Sequence, residues 1–502
     1  MSSTKQQKTA YTCLTSPEFS PTIRRMDAIV VGHVCIDLTP GLQMHQPVES
    51  VSALMRPGAL VDVAGLTVSP GGAVSNTGLG LARMGMDVGL IGRVGADPLA
   101  AMLRRELAEA TVDSEAGDDE GRADEAGAGA DPVPPRIELL EDPTAGTSYS
   151  VILPIPGLDR IFLHDSGAND NFAVTDLVTG LDRLGLERGA AEGGSAPVAE
   201  GVSLPRLMHF GYPTAVASMY RNGPRPLQEL LSAARERGMT VSVDFSLPDP
   251  QGEAAAAPWR EILSASMPLT DICFPSVEEL SLMIDPAGFH ERERGGSGAE
   301  AFSPEYGYDL AGELVAMGAA LVVVKLGGRG LLLRWDPRGE KRLHDTGAID
   351  FAERLPAGAL ASHLGPASRP GLAEPAPPRP ADSAIDALLV PSYPVERVVA
   401  ATGAGDTAIA GFLAALLAGG SIVDAAETGC VAGRNAVTTV DAVSSARPLT
   451  VMNEFRRRAS RRSEVTFEDT SAWERRTDGA FEHRFPDGVG PEQTITTLRR
   501  RA

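Results

Sequence analysis

The sequence predicts an α/β protein with a mostly parallel sheet covered by helices on both faces. Short Val/Ile/Leu runs alternate with helix-like stretches from residue 26 onward, the pattern of strand–helix–strand crossovers. Hydrophobic residues make up 43% of the 502, enough for a sizeable core, and single α/β domains of about 300 residues are common. In chain order the expected strands are residues 28–31, 88–91, 207–210, 240–243, 272–274 and 321–324. Segments 51–68 and 147–163 lie outside the alternation. The apolar run 408–418 is too short to span a bilayer and reads as a buried helix.

Two glycine-rich segments carry the functional signal. In Ala401-Thr402-Gly403-Ala404-Gly405-Asp406-Thr407, two glycines within three residues let the backbone turn sharply and leave amides uncovered. The helix expected to start at Asp406 adds the positive end of its dipole. Asp406 stands at the edge of this anion cradle as a carboxylate able to take a proton, the minimum equipment for phosphorylating an alcohol. The segment is neither a Walker A loop nor the dinucleotide fingerprint. Taken alone, a Gly-Ala-Gly before a helix is more often just a tight connection. The second segment, residues 69–85, opens on Gly71-Gly72, continues as a small-residue helix containing Asn76 and is expected to end at Gly85. A short apolar strand follows and is expected to break at residues 92–97.

Together these segments make the chain resemble the ribokinase family of carbohydrate kinases, the PfkB type, whose N- and C-terminal signatures they match in order and separation. Val30-Val31-Gly32-His33-Val34-Cys35-Ile36-Asp37 is similar to the family's first strand, ending in a substrate-binding aspartate. Residues 160–169 resemble its lid strand and Gly-Ala-Asn turn, and residues 321–330 its nucleotide-flanking strand and glycine turn. The resemblance implies a three-layer α/β/α ribokinase-like fold with a small β-sheet lid. It implies transfer of the γ-phosphoryl of ATP, carried with Mg²⁺, to a hydroxyl of a sugar or sugar derivative. Asp406 would then be the general base, and the amides of Gly403, Ala404 and Gly405 the anion hole. Asp37, Gly71, Gly72, Asn76 and Asn169 would hold the substrate. Ser276, Lys325, Gly327, Gly330, Thr402 and Cys430 would line the ATP site.

Two residues depart from the family pattern. Where an Asn-x-x-Glu motif is usual near the metal and phosphates, this chain has Ser276 and Glu279, so only the carboxylate is kept, as an indirect metal contact. Ala400 stands where an aspartate often helps bind a monovalent cation, so weak or absent potassium activation is expected. Neither departure removes the base or the cradle. Alternatives that stay open are a nucleoside kinase, with Tyr212 or Phe210 near the pocket, and a sugar-binding sensor without turnover.

The net charge of −21 argues against nucleic acid or anionic membranes as partners. Four cysteines without pairing or ligand spacing suit a reducing cytosol, and a polar N-terminus without a signal-peptide core gives a cytoplasmic expectation. Residues 1–25 read as a disordered extension, 26–455 as the kinase domain, and 456–502 as a polar tail with Trp473 and Phe481 among its few large anchors. Stretches near 113–135, 187–200, 291–305 and 357–386 read as low-complexity insertions too poor in bulky apolar groups to fold. His164 and His209 read as lid or core residues, and the basic run at 456–462 as a solvated helix face. Whether two lids pair in a homodimer is open in the sequence.

Overall fold

The computed structural model describes residues 26–42, 50–51, 57–58, 60–112, 133–155, 160–186, 204–296, 298–345, 385–439, 441, 443–459, 462–467 and 472–484. The N-terminal extension and the insertion at 187–200 lie outside them, as do most of those at 113–135 and 357–386, the last of which runs into the strand Ile385–Val390.

The chain begins with β1 (Ala28–Gly32), β2 (Cys35–Leu42), β3 (Val63–Gly71), α1 (Gly72–Arg83), β4 (Val88–Gly95) and α2 (Pro98–Val112). Then come β5 (Arg136–Asp142), β6 (Tyr149–Leu153), β7 (Ile161–Asp165), α3 (Val174–Arg183), β8 (Leu207–Gly211), α4 (Arg225–Glu236) and β9 (Thr240–Asp244). The middle holds α5 (Trp259–Ser266), β10 (Ile272–Phe274), α6 (Val277–Ile284), α7 (Pro286–Glu293), α8 (Pro304–Met317), β11 (Leu321–Lys325), β12 (Leu331–Trp335) and α9 (Pro337–Asp345). Last are β13 (Ile385–Val390), α10 (Ala404–Leu417), α11 (Ile422–Ala436), α12 (Leu449–Arg458), β14 (Trp473–Arg475) and β15 (Phe481–Arg484).

The main sheet runs β14-β15-β13-β12-β11-β10-β9-β8-β1-β4-β5, parallel from β11 to β5 and antiparallel at the other edge. Both of its faces are covered, which is why its strands are continuous apolar runs rather than alternating ones. Along β1, Ala28 and Val30 enter the core shared with α1, α10 and α11, while Ile29 and Val31 enter the core on the opposite face. A second sheet, β3-β2-β6-β7, forms the expected lid.

Five expectations are corrected. β1 stops at Gly32 and the chain crosses to the lid at Cys35, so Asp37 sits on a lid strand instead of ending the first strand. β4 does not break at residue 92 but continues to Gly95, where Arg93 is ion-paired with Asp142 and Asp176. α10 starts at Ala404, two residues before Asp406. Residues 291–305 are largely ordered, because Phe302 is buried against Phe289 and Tyr306 and gives the segment the apolar anchor its composition hides. The domain also does not end at 455: β15 pairs with β13, and Trp473 is buried against Tyr308 and Phe467.

Close packing fixes where α1 meets the sheet. A Cβ added at Gly211 would stand 1.9 Å from the Ala73 Cβ, so only glycine lets the start of α1 reach the end of β8. Gly211→Ala is therefore expected to lower stability by about 1–3 kcal/mol, the usual cost of overpacking. Denaturant unfolding would measure it, and an unchanged midpoint would refute the contact.

Candidate active site

α10 is apolar all round and buried along its length, wedged between α1 and α11, so its N-terminus is held rigidly. Gly403 caps it with φ 69°, a left-handed turn that glycine makes without strain. The N–H groups of Gly403 and Gly405 have no acceptor among the described residues, while Ala404 donates to the Ala401 carbonyl at 3.2 Å. Of the three amides expected to form the cradle, those of Gly403 and Gly405 are thus uncommitted, while that of Ala404 is taken up by the turn.

Asp406 is buried. One carboxylate oxygen accepts from the Tyr212 hydroxyl at 2.5 Å and the other from the Asn76 amide at 2.8 Å. Burial raises its pKa above the usual carboxylate range, and these two bonds with the Lys325 charge oppose the rise. Tyr212 is the one non-glycine residue with positive φ (65°) among the described residues, and this conformation aims its ring at Asp406. Asn76, expected to hold substrate, donates its side-chain amide to this carboxylate.

Two cavities meet at this pair. The first, about 830 Å³, lies under the lid and is lined by Asp37, Thr39, Thr67, Ser69, Asn76 and Arg160 among others. The second, about 660 Å³, is lined by Asp406, Gly403, Ala404, Gly405, Lys325, Gly327 and Gly330, with Ser276, Glu279 and Cys430. Ala401 and Val398 line both. Thr402 was expected in the second cavity but belongs to the first, where the lid residue Arg160 donates to its hydroxyl.

In the second cavity the Lys325 ammonium donates to Asp244 at 2.6 Å and lies 3.7 Å from Glu279. Burial disfavours its charge, but the Asp244 and Glu279 carboxylates outweigh that and hold Lys325 protonated. A Cβ at Gly405 would lie 3.5 Å from this ammonium, so the charge sits against the cradle. Ser276 caps α6: its hydroxyl accepts from the Glu279 N–H at 3.1 Å, and Glu279 accepts from the Ser276 N–H at 2.6 Å. The serine therefore does by capping what holds Glu279 in place. No cluster of three His, Cys, Asp or Glu among the described residues is placed to hold a metal. Glu279 fits an ion that arrives on phosphates and meets the protein through water, as Mg²⁺ commonly does.

On the lid side, Gly71 and Gly72 line neither cavity. They make room instead, since a Cβ on Gly71 would fall 2.3 Å from the Asp37 carboxylate and one on Gly72 2.6 Å from His33 Nδ1. Asn169 is fully buried and spends its side chain on the Val34 backbone, accepting at 3.2 Å and donating at 2.9 Å. It positions the β1–β2 crossover, which corrects the expectation that it holds substrate. His33 and His164 face each other with ring nitrogens 3.2 Å apart, and burial holds both below the usual imidazole range. Ala400 offers no side-chain oxygen, and its N–H donates to the Val437 carbonyl at 3.3 Å.

Sequence reasoning missed Asp244, Arg160, His33 and the role of Tyr212. Only the apolar strands leading into Asp244 and Tyr212 gave a sequence signal for either.

A family model described as "pfkB family carbohydrate kinase" matches residues 27–122 and 385–448, which contain both glycine segments. A fructokinase of Klebsiella pneumoniae is 52% identical over 44 residues, 9% of this chain and 14% of that protein. A 5-dehydro-2-deoxygluconokinase of Geobacillus kaustophilus is 33% identical over 89 residues, 18% of this chain and 23% of that one. The chain thus spans less than a quarter of the length of these curated relatives. Among solved structures, a protein from E. coli described as a ribokinase II aligns with TM-score 0.52 at 16% identity, covering 86% of this chain and 100% of its own. Its ATP and Mg²⁺ complex aligns with TM-score 0.51 at 16% identity over the same shares. At such identity these structures speak to the fold, which is ribokinase-like.

Proposed function

We propose that this chain is a member of the PfkB family of carbohydrate kinases and transfers the γ-phosphoryl of ATP to a hydroxyl of a sugar or sugar derivative. The observation that carries the reading is Asp406, which lines the second cavity and is hydrogen-bonded to Asn76 of the first, with the Gly403 and Gly405 amides and the Lys325 ammonium beside it. A sugar in the lid cavity presents a hydroxyl to Asp406, and the nucleotide in the second cavity presents its terminal phosphoryl to the cradle. Asp406 takes the hydroxyl proton as the oxygen attacks phosphorus, and the bond to the ADP oxygen breaks. The amides and Lys325 stabilise charge on the phosphoryl oxygens, which is most of what this chemistry asks of a protein. Mg²⁺ carried on the nucleotide would neutralise phosphate charge, with Glu279 and Ser276 nearest to it.

The lid cavity favours a polyol over a nucleoside. Asp37, Thr39, Thr67 and Ser69 supply hydroxyl partners, and no aromatic ring is among its described lining residues. Of the two rings named for the nucleoside alternative, Phe210 is buried in the core and Tyr212 is committed to Asp406. Coupled ADP release over a panel of sugars, sugar acids and nucleosides tests the reading. Turnover confined to nucleosides, or with nothing on the panel, would count against it.

Asp37 gives the reaction a pH signature. Burial raises its carboxyl to about 6, against bonds from Cys35 and Ser150, with the Asp406 charge adding to the rise. A sugar hydroxyl donates best to the ionised form, so KM for the sugar is expected to climb as pH falls through about 6. Stability moves the other way. A carboxyl raised above its unfolded value favours the fold most at low pH, and that contribution is lost as pH rises through about 6. In Asp37→Asn both the KM break and that share of the stability slope should vanish; a break that persists would assign it elsewhere.

A further inference from the structure

Residues 462–467 belong to no strand or helix, yet they are held at both ends. At one end, Arg456 of α12 pairs with Asp424 and, at 3.5 Å, with Glu427. Arg462 pairs with the same Glu427, and its guanidinium lies 4.0 Å over the Tyr393 ring. At the other end, Phe467 stacks on Trp473 with ring centres 5.0 Å apart. Between these anchors the Ser463 N–H donates to the Ser392 carbonyl at 2.8 Å. Ser463 is thereby part of the wall of the second cavity, together with Ser392, Tyr393, Pro394, Cys430 and Arg434. Phosphates placed on Gly405 and Lys325 leave this wall to the nucleoside.

We infer that residues 462–467 form a strap across the nucleoside part of the pocket, with Ser463 as a contact that sets nucleotide affinity. Arg462 is its positioning residue, acting through Glu427 and Tyr393. The inference rests on the kinase reading only in taking the second cavity as the nucleotide's. A stacked guanidinium with a carboxylate partner is a rigid anchor, so the strap is pre-organised before the nucleotide arrives. That lowers the ordering cost of binding.

The test is titration calorimetry with ADP, which needs no turnover. Ser463→Trp fills the wall from a partly exposed position and is expected to weaken ADP binding at least about tenfold, with the ligand-free Tm unchanged. Arg462→Ala should weaken it similarly and leave KM for the sugar unchanged, and Arg462→Lys should recover part of the loss. ADP affinity within about twofold of wild type in both Ser463→Trp and Arg462→Ala overturns the strap while the kinase reading stands. Absence of ADP binding by the wild type overturns both.

Discussion

Asp406→Asn is expected to cut turnover by about 10² to 10⁴, without lowering Tm. The carboxylate is buried, and burial raises its pKa, so at neutral pH its ionised form is a cost the fold carries. The amide removes that charge while keeping one acceptor oxygen for Tyr212 or Asn76, so the lost hydrogen bond is offset. Turnover must fall because an amide takes no proton from the attacking hydroxyl, even with the phosphoryl correctly cradled. Single-turnover measurement with the substrate found in the panel checks this. A variant keeping more than about a tenth of wild-type turnover would move the base elsewhere.

The second large effect belongs to Lys325→Met. Its ammonium is the shared partner of Asp244 and Glu279, and Asp244 is fully buried with one carboxylate oxygen lacking any partner. Removing the cation leaves buried charges uncompensated, a loss of about 3–5 kcal/mol. Turnover should drop by at least about 10², as for loss of an anion-hole donor. The two roles separate in the double variant Lys325→Met with Asp244→Asn. Stability should largely return there, because the carboxylate left bare is gone, while turnover should stay low. Recovery of both together would reduce Lys325 to a structural residue.

How much of this was legible in the chain follows from how far apart the partners lie. The strands of the parallel sheet are local apolar runs, and the helix after Gly405 is local too, so both could be read directly. The resemblance then singled out Asp406, Lys325 and Asp37, each of which lines one of the two cavities. What it did not place are pairings across the fold: Asn76 with Asp406 is 330 residues apart, Tyr212 with Asp406 194, and Lys325 with Asp244 81. No periodicity carries such distances. Asn169 was misread because a Gly-Ala-Asn turn has the same sequence whether the amide faces a ligand or, as here, the Val34 backbone. Whether the tail packs on the domain was open in the sequence because its strands are three and four residues long and are stabilised by aromatic contacts to distant elements.

The pairing of β15 with β13 also bears on biosynthesis. During translation, β13 has emerged with one edge bare, and that edge stays unpaired until residues 481–484 leave the ribosome almost a hundred positions later. An exposed apolar strand edge is an invitation to pair with another chain. A message truncated after α12 would therefore yield a protein with both glycine segments present and a sticky flank, prone to aggregate before it could bind anything.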